Sequence, residues 1–334
     1  MSSTQAAPPA ADSLASQTSE VVRTGKFGDW RANMPLSSVS YWKVGGPADL
    51  VVWPRTIAQL SELLGHLNAR GEPYVVIGRA TNLLISSAGI RCTCIQLLNN
   101  FSQLDSNETA ITALSGAWTP RLALESARRG LGGIEHAAGI PGSFGGLITM
   151  NGGSLRKGIG SVIENVTVLS RSGELRHYDR VECAFEYRHS RFKTSGEIIV
   201  SARIRLDPKP PREIYRQMLE KMAARKAKYT LLFPNCGSVF ISDPIAYESF
   251  GPPGLMIEQC GLKGLRIGDA EVSPLHANFI VNRGAATSDD ILNIIDIVRR
   301  RVKERFGIDL RTEALFLDPT GLIRPIDEIL DAGN

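Results

Sequence analysis

The chain has 334 residues, 43% hydrophobic and 22% charged, with a formal net charge of +4. That balance is ordinary for a soluble globular protein of two or three domains. The small positive charge gives no basis for a nucleic-acid partner, though it favours anionic ligands such as nucleotides. No apolar run reaches the roughly 18 residues of a membrane-spanning helix, so no membrane partner is expected.

The first 30 residues are rich in Ser, Ala, Gln and Pro and lack the basic start and apolar stretch of a secretory signal. Residues 1–34 are therefore expected to form a disordered extension. Ala48–Trp53 reads as a strand ending at Pro54. Thr56 stands three residues before Gln59, a capping-box spacing, and Leu60, Leu63, Leu64 and Leu67 follow at helical intervals until Gly71. With a strand at Tyr74–Ile77, this makes a β-α-β unit within 35–98.

A second block opens with a strand at Ala110–Leu114 and a helix near Pro120–Arg129, with Thr119 as cap and Gly130 as stop. A glycine-rich stretch covers 139–160, followed by strands near Val162–Leu169, Leu175–Tyr178 and Ile198–Leu206. The Pro208-Lys209-Pro210-Pro211 segment marks a boundary, because proline restricts the chain to extended or turn shapes. Beyond it, Arg212–Tyr229 reads as a charged helix and Ser288–Phe306 as an amphipathic one. The buried stripe of the latter is Ile291, Ile295, Val298, Val302 and Phe306, and its Arg299–Arg305 basic run is a solvated face matched to the helix dipole.

The five cysteines are odd in number and form no C-x-x-C pair. Neither a disulfide framework nor a metal site is indicated, and reduced thiols fit a cytoplasmic location. Cys92 and Cys94 are expected to fill space along a strand.

Two glycine clusters stand out, Gly78-Arg79-Ala80-Thr81-Asn82 after a strand and Gly139-Ile140-Pro141-Gly142-Ser143-Phe144-Gly145-Gly146 before Met150-Asn151-Gly152-Gly153. Small residues let backbone amides approach an anionic pyrophosphate, although either cluster alone reads equally as a turn. Neither is a G-x-G-x-x-G fingerprint followed by an acidic residue, and the P-loop lysine is missing.

Together with Lys43-Val44-Gly45-Gly46-Pro47-Ala48, these segments resemble, in order and spacing, the FAD-binding half of the UDP-N-acetylenolpyruvoylglucosamine reductase family. Tyr187-Arg188-His189-Ser190-Arg191-Phe192-Lys193, Gly237-Ser238-Val239-Phe240, Gly261-Leu262-Lys263-Gly264, His276-Ala277-Asn278-Phe279 and Asp309-Leu310-Arg311-Thr312-Glu313 resemble its catalytic and substrate elements. The likeness is to the subclass without an extra tyrosine-bearing loop. It implies an α+β protein with a vanillyl-alcohol-oxidase/PCMH-type FAD-binding fold of two subdomains, 35–98 and 99–207. A C-terminal α+β substrate-binding domain would occupy 212–318, and residues 319–334 a tail.

The resemblance assigns FAD to Gly45, Gly46, Gly78, Arg79, Ala80, Thr81, Asn82, Leu83, Gly139, Ile140, Pro141, Gly142, Gly145, Gly146 and Asn151. It assigns substrate to Tyr187, Lys193, Lys263, His276 and Asn278. It implies NADPH-dependent reduction of an enolpyruvyl sugar nucleotide in peptidoglycan precursor synthesis. Arg188 would hold the substrate carboxylate as charge develops on it, Glu313 would assist in protonated or proton-sharing form, and Ser238 would be the general acid. No other triad competes: G-x-S-x-G and H-E-x-x-H are missing.

Two departures stand out. Ala80 replaces a glycine, adding a methyl near the expected pyrophosphate path. Ile241-Ser242-Asp243-Pro244 and Tyr229-Thr230 replace family segments that end in Lys-Asn-Pro and Gln-Pro. Arg225, Lys226, Lys228 and Lys263 are then the candidates for the missing phosphate charge. A diverged flavoprotein acting on another anionic substrate is the alternative expectation. A monomer is expected.

Overall fold

The computed structural model describes residues 20–154, 157–228 and 233–332. Its first sheet has the order β1-β2-β5-β3 and is built from β1 (Asp29–Pro35), β2 (Pro47–Trp53), β3 (Tyr74–Ile77) and β5 (Ile90–Gln96). Helix α1 (Ile57–Ala69) crosses between β2 and β3. The Thr56 side chain accepts the Gln59 amide, and Gln59 Oε1 accepts the Arg55 amide at 2.9 Å, so the expected cap forms. Its four leucines are fully buried, each worth roughly 1.5–3 kcal/mol of burial.

The chain is ordered earlier than its composition implies. A helical turn at 20–23 is followed by β1, which pairs antiparallel with β2 from Asp29↔Trp53 to Pro35↔Pro47. Val22 and Phe27 enter the same core as the α1 leucines. Residues 20–34 are therefore structured where an extension was expected, and residues 1–19 lie outside the described residues. The polar make-up of this stretch hid a strand whose stability comes from a partner and from two apolar anchors, not from its own propensity.

Next come β6 (Leu104–Ser106), β7 (Ala110–Leu114), helix α2 (Thr119–Arg128), and a short pairing of β8 (Leu131–Gly132) with β14 (Asp207–Pro208). Helix α3 (Phe144–Thr149) and the hairpin of β9 (Gly153–Ser154) and β10 (Lys157–Gly158) come from the glycine-rich stretch. Strands β11 (Ile163–Leu169), β12 (Leu175–Asp179) and β13 (Ile198–Arg205) complete a sheet of order β12-β11-β13-β7-β6. Thr119 is not the α2 cap. Trp118 holds that position, and the Thr119 hydroxyl instead donates to Gly142 O at 3.0 Å, pinning the glycine-rich loop.

After the proline segment come α4 (Pro211–Lys228), α5 (Pro244–Phe250) and α6 (Pro253–Gln259). The chain continues with β15 (Arg266–Ile267), β16 (Ala270–Val272), β17 (Ile280–Asn282) and α7 (Ser288–Phe306). Thr287 and Asp290 form a capping box on α7, and Gly307 closes it with φ +70°. The stripe is buried, with Phe306 half-buried at the end. The basic run is ion-paired, Arg300 with Asp296, Arg301 with Glu304 and Lys303 with Asp309 on the surface, whereas Arg299 departs from the expected solvated face, largely buried against Leu310 O and Asp331.

Residues beyond 318 are not a loose tail. Strand β18 (Leu315–Leu317) pairs parallel with β4 (Leu83–Ile85) and antiparallel with β19 (Ile323–Pro325), and α8 (Ile326–Ala332) follows. The N- and C-terminal parts are further tied by Trp42, whose indole donates to Ile280 O at 2.7 Å and whose carbonyl accepts from Asn282 Nδ2 at 3.0 Å. Ser87 and Ser288 exchange reciprocal hydroxyl–amide bonds at 3.0 and 2.8 Å.

Candidate functional site

A cleft of about 2470 Å³ runs between these parts. That is more than twice the upper end of single small-molecule sites, about 1,000 Å³, so it has room for two ligands. Basic side chains outnumber acidic ones on its wall, among them Lys43, Arg79, Lys157, Lys193, Lys221 and Arg225.

Gly78-Arg79-Ala80-Thr81-Asn82-Leu83 lines one side. It is held by Gln96, which donates to Gly78 O at 3.1 Å and accepts from the Trp53 indole at 2.8 Å. Gly139-Ile140-Pro141-Gly142 with Gly145, Gly146 and Asn151 lines the other. The loops touch: a methyl on Gly78 would lie 2.1 Å from Ser143 Oγ, and one on Gly142 would lie 3.5 Å from Thr81 Oγ1. Arg79 donates to Asn99 Oδ1 at 2.6 Å and lies 5.8 Å from the Trp118 ring. Such a cradle, side-chain-poor and cation-lined, fits a dinucleotide held by backbone amides.

Three expected cofactor residues are placed differently. Gly45 and Gly46 lie off the cleft wall. A methyl on Gly46 would sit 2.3 Å from Ser87 O, and one on Gly45 3.0 Å from Ile85 Cβ, so these glycines permit close backbone packing. Ala80 contributes to the wall, but its side chain is 4% exposed and belongs to the apolar cluster with Met34, Leu36, Ile77 and Ile85. Its departure from glycine falls on the backbone, at φ +48°, and not on the cavity.

Arg188, Ser238 and Glu313 line both the large cleft and an adjoining cavity of about 320 Å³. Arg188 is at the tip of a tight turn closed by Glu186–His189 backbone bonds of 3.1 and 3.2 Å, with φ +55°. A non-glycine residue rarely adopts that conformation, and such strain concentrates at functional sites. Ser238 follows Gly237 (φ +87°) on a segment bridged to the Glu313 segment at Phe240↔Thr312, with the Glu313 amide donating to Val239 O at 2.7 Å. Arg188 Nε lies 3.0 Å from Glu313 Oε1. Burial pushes the Glu313 carboxyl above the usual range, against the opposing pull of Arg188 and Lys193.

Tyr187 and Lys193 also line the large cleft, and Tyr187, His276 and Asn278 the smaller cavity. His276 Nδ1 accepts the Asn278 amide at 3.3 Å, and its ring sits 4.9 Å from that of Phe279. Asn278 is not a free ligand. Its side chain accepts the Phe240 amide at 2.9 Å and donates to Phe240 O at 3.0 Å, holding the Ser238 segment. Lys263 is on neither wall; it pairs with Glu258 at 2.7 Å. Of the other candidate phosphate cations, Arg225 faces the cleft and Lys226 is exposed away from it, while the Lys228 side chain and Tyr229-Thr230 lie outside the described residues.

Residues 48–179 match the FAD binding domain, and residues 227–317 match the C-terminal domain of UDP-N-acetylenolpyruvoylglucosamine reductase. The UDP-N-acetylenolpyruvoylglucosamine reductase 1 of Corynebacterium glutamicum is 42% identical over 89% of this chain and 88% of its own. This chain belongs to the UDP-N-acetylenolpyruvoylglucosamine reductase family. The Heliobacterium modesticaldum reductase is 39% identical over 88% of this chain and 92% of its own. The solved reductase of Thermus caldophilus superposes with a TM-score of 0.73 at 32% identity, covering 86% of this chain and 99% of that one. The α+β flavin fold of two subdomains with a reductase C-terminal domain is thereby that of this chain.

Two parts of a family reductase's cleft were not legible in the sequence. Thr320–Pro325 and Glu328, read as tail, form part of its wall. A Thr320-Gly321 turn between two short apolar runs was the available hairpin signal. Cys236 also lines the wall, its thiol pushed far up by burial and by the Glu313 carboxyl. Nothing in its sequence context distinguishes it.

Proposed function

We propose that the chain reduces UDP-N-acetylglucosamine enolpyruvate to UDP-N-acetylmuramate, using FAD and NADPH, in the supply of peptidoglycan precursors. The observation that carries this reading is the meeting of Arg188, Glu313 and Ser238 on a wall shared with both glycine loops.

When bound and reduced by NADPH, FAD would supply the hydride. The first loop (Gly78–Thr81) and the second (Gly139–Gly142, Gly145, Gly146) would hold it through backbone amides, with Arg79 as a cation on the same wall. The residues of the chain then do the remaining work. Arg188 holds the substrate carboxylate and stabilises charge gathering there, its planar fork matching both oxygens. Glu313, whose carboxyl burial pushes upward against the pull of Arg188 and Lys193, assists on that side by sharing a proton. The Ser238 hydroxyl delivers the proton to the neighbouring carbon. Tyr187, Lys193 and His276 line the space for the rest of the sugar nucleotide, and Arg225 offers charge for its diphosphate. We place the enzyme in the cytoplasm, a reading supported by five free cysteines, and as a monomer.

The test is anaerobic. The purified protein, reduced with NADPH, is mixed with the enolpyruvyl sugar nucleotide and flavin absorbance is followed. Rapid return of the oxidised spectrum is expected; a rate no faster than without the sugar nucleotide overturns the reading.

A further inference from the structure

Two of the residues assigned to the cofactor use their side chains elsewhere. Asn82, in the first loop, donates from Nδ2 to the carbonyl of Glu313 at 2.8 Å, and the Leu315 amide donates to Asn82 O at 3.1 Å. Asn151, after the second loop, donates from Nδ2 to the carbonyl of Glu186 at 2.7 Å, two residues before Arg188, and accepts the Gly160 amide at 2.9 Å. Asn151 has φ +39°, a left-handed backbone that asparagine tolerates better than most residues. Each glycine-rich segment thus carries an asparagine whose amide is fixed to main chain at the Arg188–Glu313 pair: Asn82 to Glu313 itself, and Asn151 to Glu186 in the turn that presents Arg188.

We propose that Asn82 and Asn151 are positioning residues for hydride acceptance by the substrate, fixing Glu313 and Arg188 against the cofactor loops. They would not be ligands of the cofactor itself. This rests on the function proposed above. The physical reason is reach: Arg188 is on a two-residue turn and Glu313 at the end of an irregular segment, so neither is held by a sheet. Displacements of about 1 Å at such groups cost up to 100-fold in rate. Flavin reduction by NADPH needs neither group, so the two half-reactions separate this role from a general structural one.

The variants are Asn82→Ala and Asn151→Gly, the latter suited to the left-handed backbone. Three quantities are measured on each: FAD affinity by fluorescence quenching on reconstitution, the rate of flavin reduction by NADPH, and the single-turnover rate of reoxidation by the sugar nucleotide. The expected result is reoxidation slowed about 10- to 100-fold, with FAD affinity and flavin reduction within about threefold of wild type. Asn151→Gly should add nothing further in an Arg188→Ala background, nor Asn82→Ala in a Glu313→Gln background, because each acts through its partner. Weakened FAD binding, equal loss in both half-reactions, additive effects in the double variants, or unchanged reoxidation each overturn the proposal. Failure of the wild type to reoxidise would instead sink the functional reading beneath it.

Discussion

Arg188 Nε and Glu313 Oε1 are 3.0 Å apart, so the guanidinium lies directly against the carboxyl whose proton it opposes. Burial raises the Glu313 pKa above its ordinary 4.5 despite that cation. Glu313→Gln keeps the shape and removes the exchangeable acid. It should slow sugar-nucleotide-driven reoxidation by about 100-fold or more while leaving flavin reduction by NADPH unchanged, as read by stopped-flow absorbance. The same shift has a stability sign. A carboxyl whose folded pKa is raised favours folding below its unfolded pKa and loses that contribution as pH climbs through the folded value. The wild type should therefore lose stability relative to Glu313→Gln as pH rises above about 4.5, measured by paired denaturant melts.

Ser238 is fixed by its neighbours. Asn278 holds Phe240 by both amide atoms, and the Glu313 amide holds Val239. Ser238→Ala removes a hydroxyl without loosening that backbone. Reoxidation should fall by about 100-fold or more, with unchanged melting temperature and unchanged flavin reduction.

Lys263 pairs with Glu258 at 2.7 Å, with both side chains partly in solvent. Such pairs contribute about 0–1 kcal/mol. Lys263→Ala should leave kcat unchanged and raise the sugar-nucleotide KM by no more than about threefold. Loss of a direct charged contact would cost roughly 10- to 100-fold.

His136 is buried on the cleft wall, its Nε2 without a hydrogen-bond partner among the described residues and its pKa lowered to about 4 by burial and then by Lys157. On acidification the unfolded chain takes up this proton near pH 6.5, while the folded chain resists until about pH 4, so stability falls across that window. Between pH 7 and pH 5 the loss from this group should be about 2 kcal/mol. His136→Gln should show a correspondingly smaller difference between urea unfolding free energies at the two pH values.

Sequence reading succeeded where local chemistry dictates local structure. The Thr56 cap, the α1 leucines and the α7 stripe each follow from a period or a backbone requirement confined to a few residues. It failed where stability comes from distant partners. Strand β1 exists because β2 lies beside it, and the wall from Thr320 to Pro325 exists because β4 draws β18 across the molecule. At the site, the motifs brought Arg188, Ser238 and Glu313 together, but residue type could not tell a ligand from a brace. Asn278 and Asn151 carry amides suited to either role, and only their hydrogen-bond partners decide. Gly45 and Gly46 misled for the same reason: a glycine forced by backbone contact reads the same as one opened for a phosphate. The methyl of Ala80 was expected near the pyrophosphate path because a substitution names the added group without saying where it points; it lies in the apolar cluster instead.

The parallel register of Leu83–Ile85 against Leu315–Leu317 has a consequence for how such enzymes can diverge. A gene shuffled at the proline segment would bring a foreign final third of the polypeptide to a partner encoded more than two hundred codons upstream. Its three-residue edge must dock there, and a one-position slip would turn its outward side chains inward. Chimeras between relatives should therefore survive only when both halves of that ladder travel together, so selection acts on the pair as one inherited unit although they lie at opposite ends of the message.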